Sequence, residues 1–419
     1  MLDIKFIREN KDLIAEAARK KRSDFKVDEL LKVDDERVKL VGKADELRRQ
    51  QNDASAGISQ AAGEEKTKLI EQMSSVKTDL QKAEEELKEV MKTWQGLMLT
   101  VPNIPDMSVP EGKGEEDNQE VAVWGERKKF DFPIKDHVEL MLGLHMVDFE
   151  RGTKAHGFRG YFLKGDGAQL SWALWNYARD FYGQKDFLPF IAPAIVRKEH
   201  FYGTGHLPNE AEDLFKTQDD DYLSGTAEVP MMAYHSEEIL KADELPKRYL
   251  AFSPCYRREA GSYSKDTKGL IRIHEFYKVE QLIICKADHE ESARLHEEIN
   301  RNFEEFLESL GLPYHRLLIC TGDLGTSKVK QYDTEAWFPS QNKYRELSSA
   351  SYYHDFQTRR FNIRYKEGDK NLYTHSLNCT AVATPRIIAA IVENYQQADG
   401  SILIPKVLQP FMGGREVIK

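Results

Sequence analysis

The stretch of sequence that decides the fold reads FSPCYRRE at residues 252–259 and, after a loop, RIHEFYKVE at residues 272–280. Both segments have the apolar, β-branched and aromatic character of strands, and the loop between them is rich in Gly, Ser and Lys, so the pair predicts a β-hairpin. Because side chains alternate between the faces of a strand, Arg257 and Glu259 would share one face of the first strand. On the Arg-x-Glu alone, a charged surface hairpin is as good an interpretation as a binding site.

The return segment adds the groups that a nucleotide would need. Phe276 and Glu280 share a face of the predicted strand, and Arg272 precedes them. An arginine binds phosphate through its planar fork, an aromatic ring stacks on a base, and a carboxylate accepts a hydrogen bond from a base amino group. The chain has neither the glycine-rich phosphate loop that ends in Gly-Lys-Ser/Thr nor a Gly-x-Gly-x-x-Gly turn after a strand. The hairpin is therefore the candidate nucleotide site.

The composition is that of a globular protein of two or three domains. The chain has 419 residues, with 60 Lys and Arg against 70 Asp and Glu and a formal net charge of −10, which argues against a general basic coat for nucleic acid. Its four cysteines are widely spaced and form no Cys-x-x-Cys pair, so neither a disulfide framework nor a cysteine zinc site is indicated. The amino-terminal stretch is charged, unlike a signal peptide, and no apolar run is long enough to span a bilayer. We expect a cytoplasmic protein with no membrane association.

The first hundred residues contain no proline and predict two long helices. Apolar residues recur at alternating steps of four and three over residues 69–97, which is an unbroken heptad seam. A second seam, interrupted by polar residues, runs over residues 30–54, and residues 54–63 between the seams predict a flexible tip. These patterns predict an antiparallel coiled-coil arm about 45 Å long. Basic residues near its tip are candidates for phosphate contacts: Arg48, Arg49, Lys66 and Lys68.

The rest of the chain predicts a different architecture. Residues 101–136 are rich in Pro, Gly and acidic residues and predict a linker between a helical domain at 1–100 and a larger domain at 137–419. In the larger domain, strand-like segments follow one another with few helices between them, which favours an α+β fold with an antiparallel sheet over a doubly wound one. The predicted strands are 221–224, 249–256, 272–284, 314–320, 333–338 and 345–351, and the predicted helices are 169–182 and 384–395.

Three further stretches complete a pattern. They read LSGTAEVP at residues 223–230, YRELSS at residues 344–349 and LNCTAVATPR at residues 377–386. Together with the Arg-x-Glu and Arg-x-x-x-Phe-x-x-x-Glu of the hairpin, they resemble the signature motifs of class II aminoacyl-tRNA synthetases. The coiled-coil arm, GTGHLP at residues 203–208 and QPFMGG at residues 409–414 make the whole chain similar to seryl-tRNA synthetases of the bacterial type.

The resemblance implies a fold and an assembly. The fold is a class II synthetase catalytic domain, built on an antiparallel β-sheet, with an amino-terminal antiparallel α-helical coiled-coil arm that binds tRNA. The segment from Gln169 to Pro193 resembles the first motif of the class, which forms a dimer interface, so a homodimer is expected. The arm of one subunit would then reach tRNA bound to the other.

The resemblance also implies roles for individual residues. Thr226 and Glu228, with Ala227 between them, would bind the serine ammonium group, and Glu280 and Thr380 would hydrogen-bond its hydroxyl. Arg257 would bridge the serine carboxylate and the ATP α-phosphate, and with Arg386 it would be catalytic by stabilising charge. The ATP-binding set comprises Arg257, Arg258, Glu259, Arg272, Ile273, Phe276, Glu346, Leu347, Ser348, Ser349 and Arg386.

The resemblance implies ATP as a substrate and Mg²⁺ as the cofactor, with Glu346 and Ser349 as the metal ligands, and no zinc. The chain departs from the family pattern at Arg258, at Tyr263 in the hairpin loop and at Cys379, where Gly or Asn is usual. The third motif also reads Ala-Val-Ala-Thr-Pro where other members have glycines. These departures leave the polarity of the pocket open.

The implied reaction is the ATP-dependent activation of L-serine to seryl-adenylate, followed by transfer to the 3′ end of tRNA(Ser). Whether tRNA(Sec) is also charged stays open. Two other functions are weighed against it. An amino acid:carrier-protein ligase would not need the arm, and a non-catalytic nucleotide-binding regulator would not need Arg257, Arg386 and Glu346 together.

Overall fold

The computed structural model of the protein describes residues 1–261, 266 and 268–419, and the chain divides into two compact units. One unit is Asp3–Pro102, and the other is Met1–Leu2 together with Asn103–Lys419. Most of the segment predicted as a linker therefore belongs to the larger unit. The Asn103 side-chain amide donates to the carbonyl of Tyr353 (2.8 Å), which fixes the start of this segment to the fold.

The smaller unit is entirely helical between its connecting turns. Its helices are α1 (Ile4–Glu9), α2 (Lys11–Lys20), α3 (Val27–Gln60) and α4 (Gly63–Thr100). The predicted coiled-coil seam is confirmed, because α3 and α4 pack along it. The buried seam residues are Leu30, Leu40, Ala44 and Ala54 on α3 and Val76, Leu80 and Ala83 on α4.

The prediction of a flexible ten-residue tip is wrong for most of its length. Helix α3 continues to Gln60 and α4 begins at Gly63, so the turn is only two residues long. Gly57 lies under Leu69, where an added Cβ would come within 3.4 Å of the leucine side chain. The small residues at 54–63 therefore allow the two helices to stay in contact close to the turn, rather than loosening the chain there.

The larger unit mixes strands and helices. Its helices are α5 (His137–Gly143), α6 (Phe149–His156), α7 (Asp166–Gly183), α8 (Lys198–Thr204), α9 (Glu228–Ala233), α10 (His289–Ser309), α11 (Phe356–Phe361) and α12 (Thr384–Asn394). Its strands are β1 (Gln119–Trp124), β2 (Val147–Asp148), β3 (Phe162–Leu163), β4 (Leu188–Ile191), β5 (Ile195–Val196), β6 (Phe215–Lys216), β7 (Tyr222–Leu223), β8 (Ile239–Lys241), β9 (Lys247–Tyr256), β10 (Glu275–Cys285), β11 (Tyr314–Leu318), β12 (Lys330–Phe338), β13 (Lys343–Tyr352), β14 (Arg364–Glu367), β15 (Lys370–Tyr373), β16 (His375–Ala383), β17 (Ile402–Leu403) and β18 (Val417–Ile418).

Eight of the described strands form the main sheet, in the order β1-β11-β12-β13-β16-β10-β9-β4. Every pair in it is antiparallel except β4 with β9, so the predicted antiparallel α+β architecture is confirmed. Helices α7, α10 and α12 cover one side of this sheet and bury the core with it. That core includes Leu174 on α7, Phe303 and Phe306 on α10 and Ile388 on α12. In the described parts of the chain, no helix combines the length and the apolar character needed to cross a membrane.

The predicted hairpin is confirmed as β9 and β10, which pair from Tyr256 with Glu275 down to Lys247 with Ile284. Its details differ from the prediction. Strand β9 ends at Tyr256, and Glu259 has a left-handed backbone (φ 54°), so Arg257 and Glu259 do not share a strand face. They leave the sheet at its end instead, as the chain turns away. Strand β10 begins three residues later than predicted, and Tyr263 lies outside the described residues.

Candidate active site

Two adjoining cavities open at one end of the β9–β10 hairpin. The acidic cavity is lined by Thr226, Glu228, Glu280, Asp333, Ser349 and Asn378, among others. The hairpin cavity is lined by Glu259, Ile273, Phe276, Leu347 and Arg386, among others. Four residues line both cavities: Arg257, Lys278, Glu346 and Thr380. A ligand in one cavity and a ligand in the other would therefore meet at the Arg257 guanidinium.

Neutral amides hold one carboxylate of the acidic cavity. Glu228 begins α9, directly after β7, and is buried. Gln357 donates to its Oε1 (2.5 Å) and Asn378 donates to its Oε2 (2.8 Å). Among the described residues, no lysine or arginine forms an ion pair with Glu228. A buried carboxylate that receives only neutral donors is well suited to a cationic ligand, since a charge in the protein interior needs a partner.

A lysine holds the second carboxylate. Lys278 Nζ lies 2.5 Å from Glu280 Oε2 and donates to Thr226 Oγ1 at 2.9 Å. Asn378 donates to the other oxygen of Glu280 (3.2 Å). Burial raises the pKa of Glu280, and Lys278 opposes that rise. The acidic cavity thus contains two glutamates in different electrostatic surroundings.

The hairpin cavity combines an arginine with an aromatic ring. The Arg257 guanidinium lies 5.4 Å from the centre of the Phe276 ring, a cation–π distance. Its path out of the strand passes close to Gly225, where an added Cβ would lie 3.2 Å from the arginine Cγ. A larger residue at 225 would crowd the Arg257 side chain and the Tyr256 carbonyl, so glycine suits this position. Ile273 and Leu347, both buried, supply apolar wall to the same cavity.

Two further arginines are held by acidic partners. Arg272 forms an ion pair with Glu259 (2.5 Å), and Arg386, in the first turn of α12, donates to the carbonyl of Glu346 (2.8 Å). The Arg386 guanidinium also lies 3.5 Å from the Glu346 carboxylate. Arg272, Arg386 and Glu346 line a third depression beside the hairpin cavity. An anion that entered there would meet two cations whose present partners are residues of the same site.

Two carboxylates and a hydroxyl converge on neighbouring strands. Asp333 on β12 pairs with Ser349 on the neighbouring strand β13. Glu346 lies three residues before Ser349 on β13 and pairs with Glu335. Burial and the charge of Glu346 raise the pKa of Asp333. Desolvation disfavours the charge of Glu346, but Arg386 and Arg257 lower its pKa. With 48% of its side-chain surface exposed, the Glu346 carboxylate remains accessible to a ligand.

This group fits a hard divalent cation. The buried Ser349 Oγ makes no hydrogen bond of normal geometry with any described residue, which leaves an oxygen lone pair unused. Carboxylate and hydroxyl oxygens are the ligands that Mg²⁺ takes, and Mg²⁺ in phosphate sites is commonly bound by one or two carboxylates plus the phosphates. The donor set around Glu346 and Ser349 is therefore chemically appropriate for Mg²⁺.

Three residues of the expected set do not face the cavities. Ala227 is buried in a hydrophobic cluster beneath α9, and Arg258 is exposed to solvent. Ser348 is buried and donates to the carbonyl of Thr380 (2.9 Å), so it links β13 to β16. Cys379, a departure from the family pattern, packs in the main core, because side chains alternate along β16 and its neighbours face the cavity.

Comparisons with known proteins add independent evidence. The chain matches the family model of the seryl-tRNA synthetase N-terminal domain over residues 1–105 and that of the tRNA synthetase class II core domain (G, H, P, S and T) over residues 214–395. It is 44% identical over 420 residues to the serine–tRNA ligase of Deinococcus radiodurans, covering 100% of this chain and 99% of that one. The chain belongs to the seryl-tRNA synthetase family.

A solved structure agrees with this membership. The seryl-tRNA synthetase of Pyrococcus horikoshii, crystallised with ATP, superposes with a TM-score of 0.91 at 39% identity and covers 100% of this chain and 99% of that one. The serine–tRNA ligase of Thermodesulfovibrio yellowstonii is 43% identical over 421 residues, with 99% of each chain covered. The family assignment and the class II fold predicted from the sequence are therefore confirmed.

The sequence patterns did not indicate four residues of the site: Lys278, Asp333, Gln357 and Asn378. For Lys278 a signal was present, since it alternates in phase with Phe276 and Glu280 and must share their strand face. The other three enter the site through strand pairing or through α11, and no local pattern in the sequence indicates that.

Proposed function

We propose that the chain activates L-serine with ATP and transfers the seryl group to tRNA(Ser). The observation that carries this proposal is the junction of the two cavities at Arg257. One cavity offers carboxylates and hydroxyls to a small zwitterion that carries a hydroxyl group. The other offers an aromatic ring, an apolar wall and arginines to a nucleotide.

In the first step, the serine carboxylate attacks the α-phosphate of ATP and pyrophosphate leaves. Arg257 contacts both reacting anions in this arrangement, so it offsets their repulsion as they approach. Arg386 and Arg272 bind the outer phosphates of ATP. To do so, Arg386 gives up its contact with Glu346, and Arg272 gives up its ion pair with Glu259. The protein supplies position and charge stabilisation, which is the main source of catalysis in phosphoryl and nucleotidyl transfer.

Glu346 and Ser349 would hold Mg²⁺, with Asp333 beside them. A bound Mg²⁺ neutralises phosphate charge and helps to fix the phosphate conformation. Before a ligand binds, Arg386 and Arg257 lower the pKa of Glu346, so the chain presents an ionised carboxylate to the cation.

In the second step, a hydroxyl of the 3′-terminal ribose attacks the seryl carbonyl and AMP leaves. We assign tRNA binding to the helical unit, residues 1–100, and both reaction steps to the domain at 137–419. Arg48 forms ion pairs with Asp45 and Glu84, and Arg49 with Glu46, which compete with phosphate contacts. Lys66 and Lys68, exposed beside the turn, are the better candidates. Charging of tRNA(Sec) stays open.

We further propose a homodimer in the cytoplasm. Strand β4 is an edge of the main sheet, and Leu188 and Ile191 on it are 57% and 86% exposed. Trp172 on α7 and Phe162 on β3 are also exposed and line an apolar cavity. An open strand edge beside exposed apolar surface is typical of an interface with a second copy. All four cysteines are free thiols, which suits a reducing compartment.

The test is ATP–pyrophosphate exchange against each of the twenty amino acids, with and without Mg²⁺. We expect serine alone to support rapid exchange, and only with Mg²⁺ present. Aminoacylation of tRNA(Ser) and tRNA(Sec) transcripts then identifies the acceptor. Exchange stimulated chiefly by glycine, alanine or threonine would contradict the proposal. Exchange without charging of any tRNA would favour a carrier-protein ligase, and no exchange with any amino acid would favour a regulator.

A further inference from the structure

Lys278 is a buried cation to which none of the roles above is assigned. It lies on β10 between Phe276 and Glu280, on the same strand face, and it is 6% exposed. Its ammonium contacts Glu280 and Thr226, two residues of the acidic cavity, and it lines both cavities. Burying a lysine is costly unless it is paired, so this placement calls for an explanation.

The two glutamates of the cavity differ because of this lysine. Glu228 receives two neutral amides, whereas Glu280 is in direct contact with an ammonium group. The Asn378 amide bridges the two carboxylates and contributes little to distinguish them. Without Lys278, the two glutamates would present similar acceptors to a ligand that carries both an ammonium and a hydroxyl group.

The Lys278–Glu280 contact leaves one acceptor oxygen of the acidic cavity without an aligned donor. Although Lys278 Nζ is 2.5 Å from Glu280 Oε2, this buried oxygen has no aligned hydrogen-bond donor among the described residues. The pair is therefore an ion pair without a well-directed hydrogen bond. A substrate hydroxyl that reached the Glu280 carboxylate would find this acceptor unused, while a second ammonium would face the charge of Lys278.

We propose that Lys278 is a specificity-determining positioning residue for serine, which reserves Glu280 for the substrate hydroxyl and leaves Glu228 for the substrate ammonium. This inference rests on the proposed function, because it takes serine as the ligand. It adds a residue that acts through Glu280 and Thr226 and touches no reacting atom. Its loss should weaken the selection of serine over alanine, which lacks the hydroxyl.

Other charged and titratable groups around Glu280 must be considered before a pH effect is expected. They are Glu228 on α9, Cys255 on β9, Arg257 after it, Tyr353 after β13 and Cys379 on β16. Glu228 adds to the rise in the pKa of Glu280, and Arg257 opposes it. Removing Lys278 removes the nearest opposing charge, so Glu280 would hold its proton to a higher pH.

The experiment compares Lys278→Gln with the parent enzyme in ATP–pyrophosphate exchange, using serine and alanine. We expect kcat/KM for serine to fall by roughly 10- to 100-fold, the range for a hydrogen bond to a charged group. The ratio of serine to alanine kcat/KM should fall at least tenfold. The serine KM of this variant should decrease as the pH rises, because Glu280 without Lys278 holds its proton to a higher pH and must lose it to accept the substrate hydroxyl. Lys247→Gln, which removes an ion-paired lysine elsewhere on the hairpin, is the matched control and should leave the ratio unchanged.

A double variant keeps the test decisive if Lys278→Gln is poorly folded. Once Glu280→Gln has removed the carboxylate charge, adding Lys278→Gln should cost no more than about twofold and should abolish the pH effect. A double variant more than tenfold worse than Glu280→Gln alone would overturn the inference. So would a folded Lys278→Gln with a serine-to-alanine ratio within twofold of the parent. Failure of the parent enzyme to activate serine would instead refute the proposed function.

Discussion

Arg257 is the residue whose position has the most direct functional consequence. It leaves β9 at the point where the two cavities join, over Gly225 and beside Phe276. Among the described residues, its guanidinium donates one long hydrogen bond, to the Gly225 carbonyl at 3.4 Å, and Arg257 lines both cavities. Removing it should therefore cost little stability and much activity.

We predict that Arg257→Ala lowers the rate of adenylate formation by roughly 10²- to 10³-fold, or about 3 to 4 kcal/mol of transition-state stabilisation. Exchange and thermal unfolding should be measured on the same preparation. Arg294→Ala, at an exposed position on α10, is the control and should match the parent in both assays. Exchange within about fivefold of the parent, with normal unfolding, would show that Arg257 does not contact the reacting groups.

At the scale of single residues, the local sequence predicts which functional side chains lie on one strand or motif. It says little about which distant residues the fold brings beside them. The positions of Arg257, Phe276 and Glu280 follow from one hairpin. Asn378 reaches the site because β16 pairs with β10, and Gln357 reaches it from α11. These are long-range pairings, which no window of sequence contains.

At the scale of elements, the strands that alternate polar and apolar residues were predictable, and β16 was not. All but the last residue of β16 is buried, because it is central in the sheet and both of its faces are covered. A strand buried on both faces has no alternation of polar and apolar residues that would reveal it. The sequence of β16 therefore indicates only a motif that leads into a helix. Helix α10 is absent from the predicted elements although Leu295, Ile299 and Phe303 recur at helical spacing on its buried face.

The edge strand β4 provides a prediction at the same scale. We expect Ile191→Asp to convert a dimer to a monomer, because the 86% exposed side chain would place a charge in an apolar interface. Sedimentation velocity over a range of concentrations measures the association. The fold should be retained, since in the monomer this side chain is already in water.

Ile239→Asp is the matched control for the edge-strand variant. Ile239 is also an exposed isoleucine on a strand, but it belongs to the small β14–β15–β8 sheet. The Ile239→Asp variant should associate as the parent protein does. If the parent protein sediments as a monomer at all concentrations, or if Ile191→Asp associates as the parent does, β4 is not the dimer interface.

At the scale of the whole molecule, the two compact units separate the proposed roles. Every residue assigned to serine or ATP lies between Thr226 and Arg386, in the larger unit. The seam that holds α3 against α4 lies in the smaller unit and is formed by those two helices themselves. Because the residues that line the cavities belong to the larger unit, removing the arm should leave the cavities intact.

We predict that replacing residues 31–98 with a short linker separates the two half-reactions. Serine-dependent exchange should persist within a few-fold of the parent, because the adenylate site is complete without the arm. Aminoacylation should collapse, because the arm supplies phosphate and shape contacts to tRNA, and the parent's own charging should weaken as salt is raised. Both assays are run on one preparation at low and moderate salt. The double variant Lys66→Ala/Lys68→Ala serves as a comparison, because it keeps the full-length arm and lacks the exposed charges beside the turn. A truncated protein that charges tRNA near the parent level at both salts would exclude the arm from tRNA binding. The unbroken seam from Leu69 to Leu97 would then have to serve a different partner.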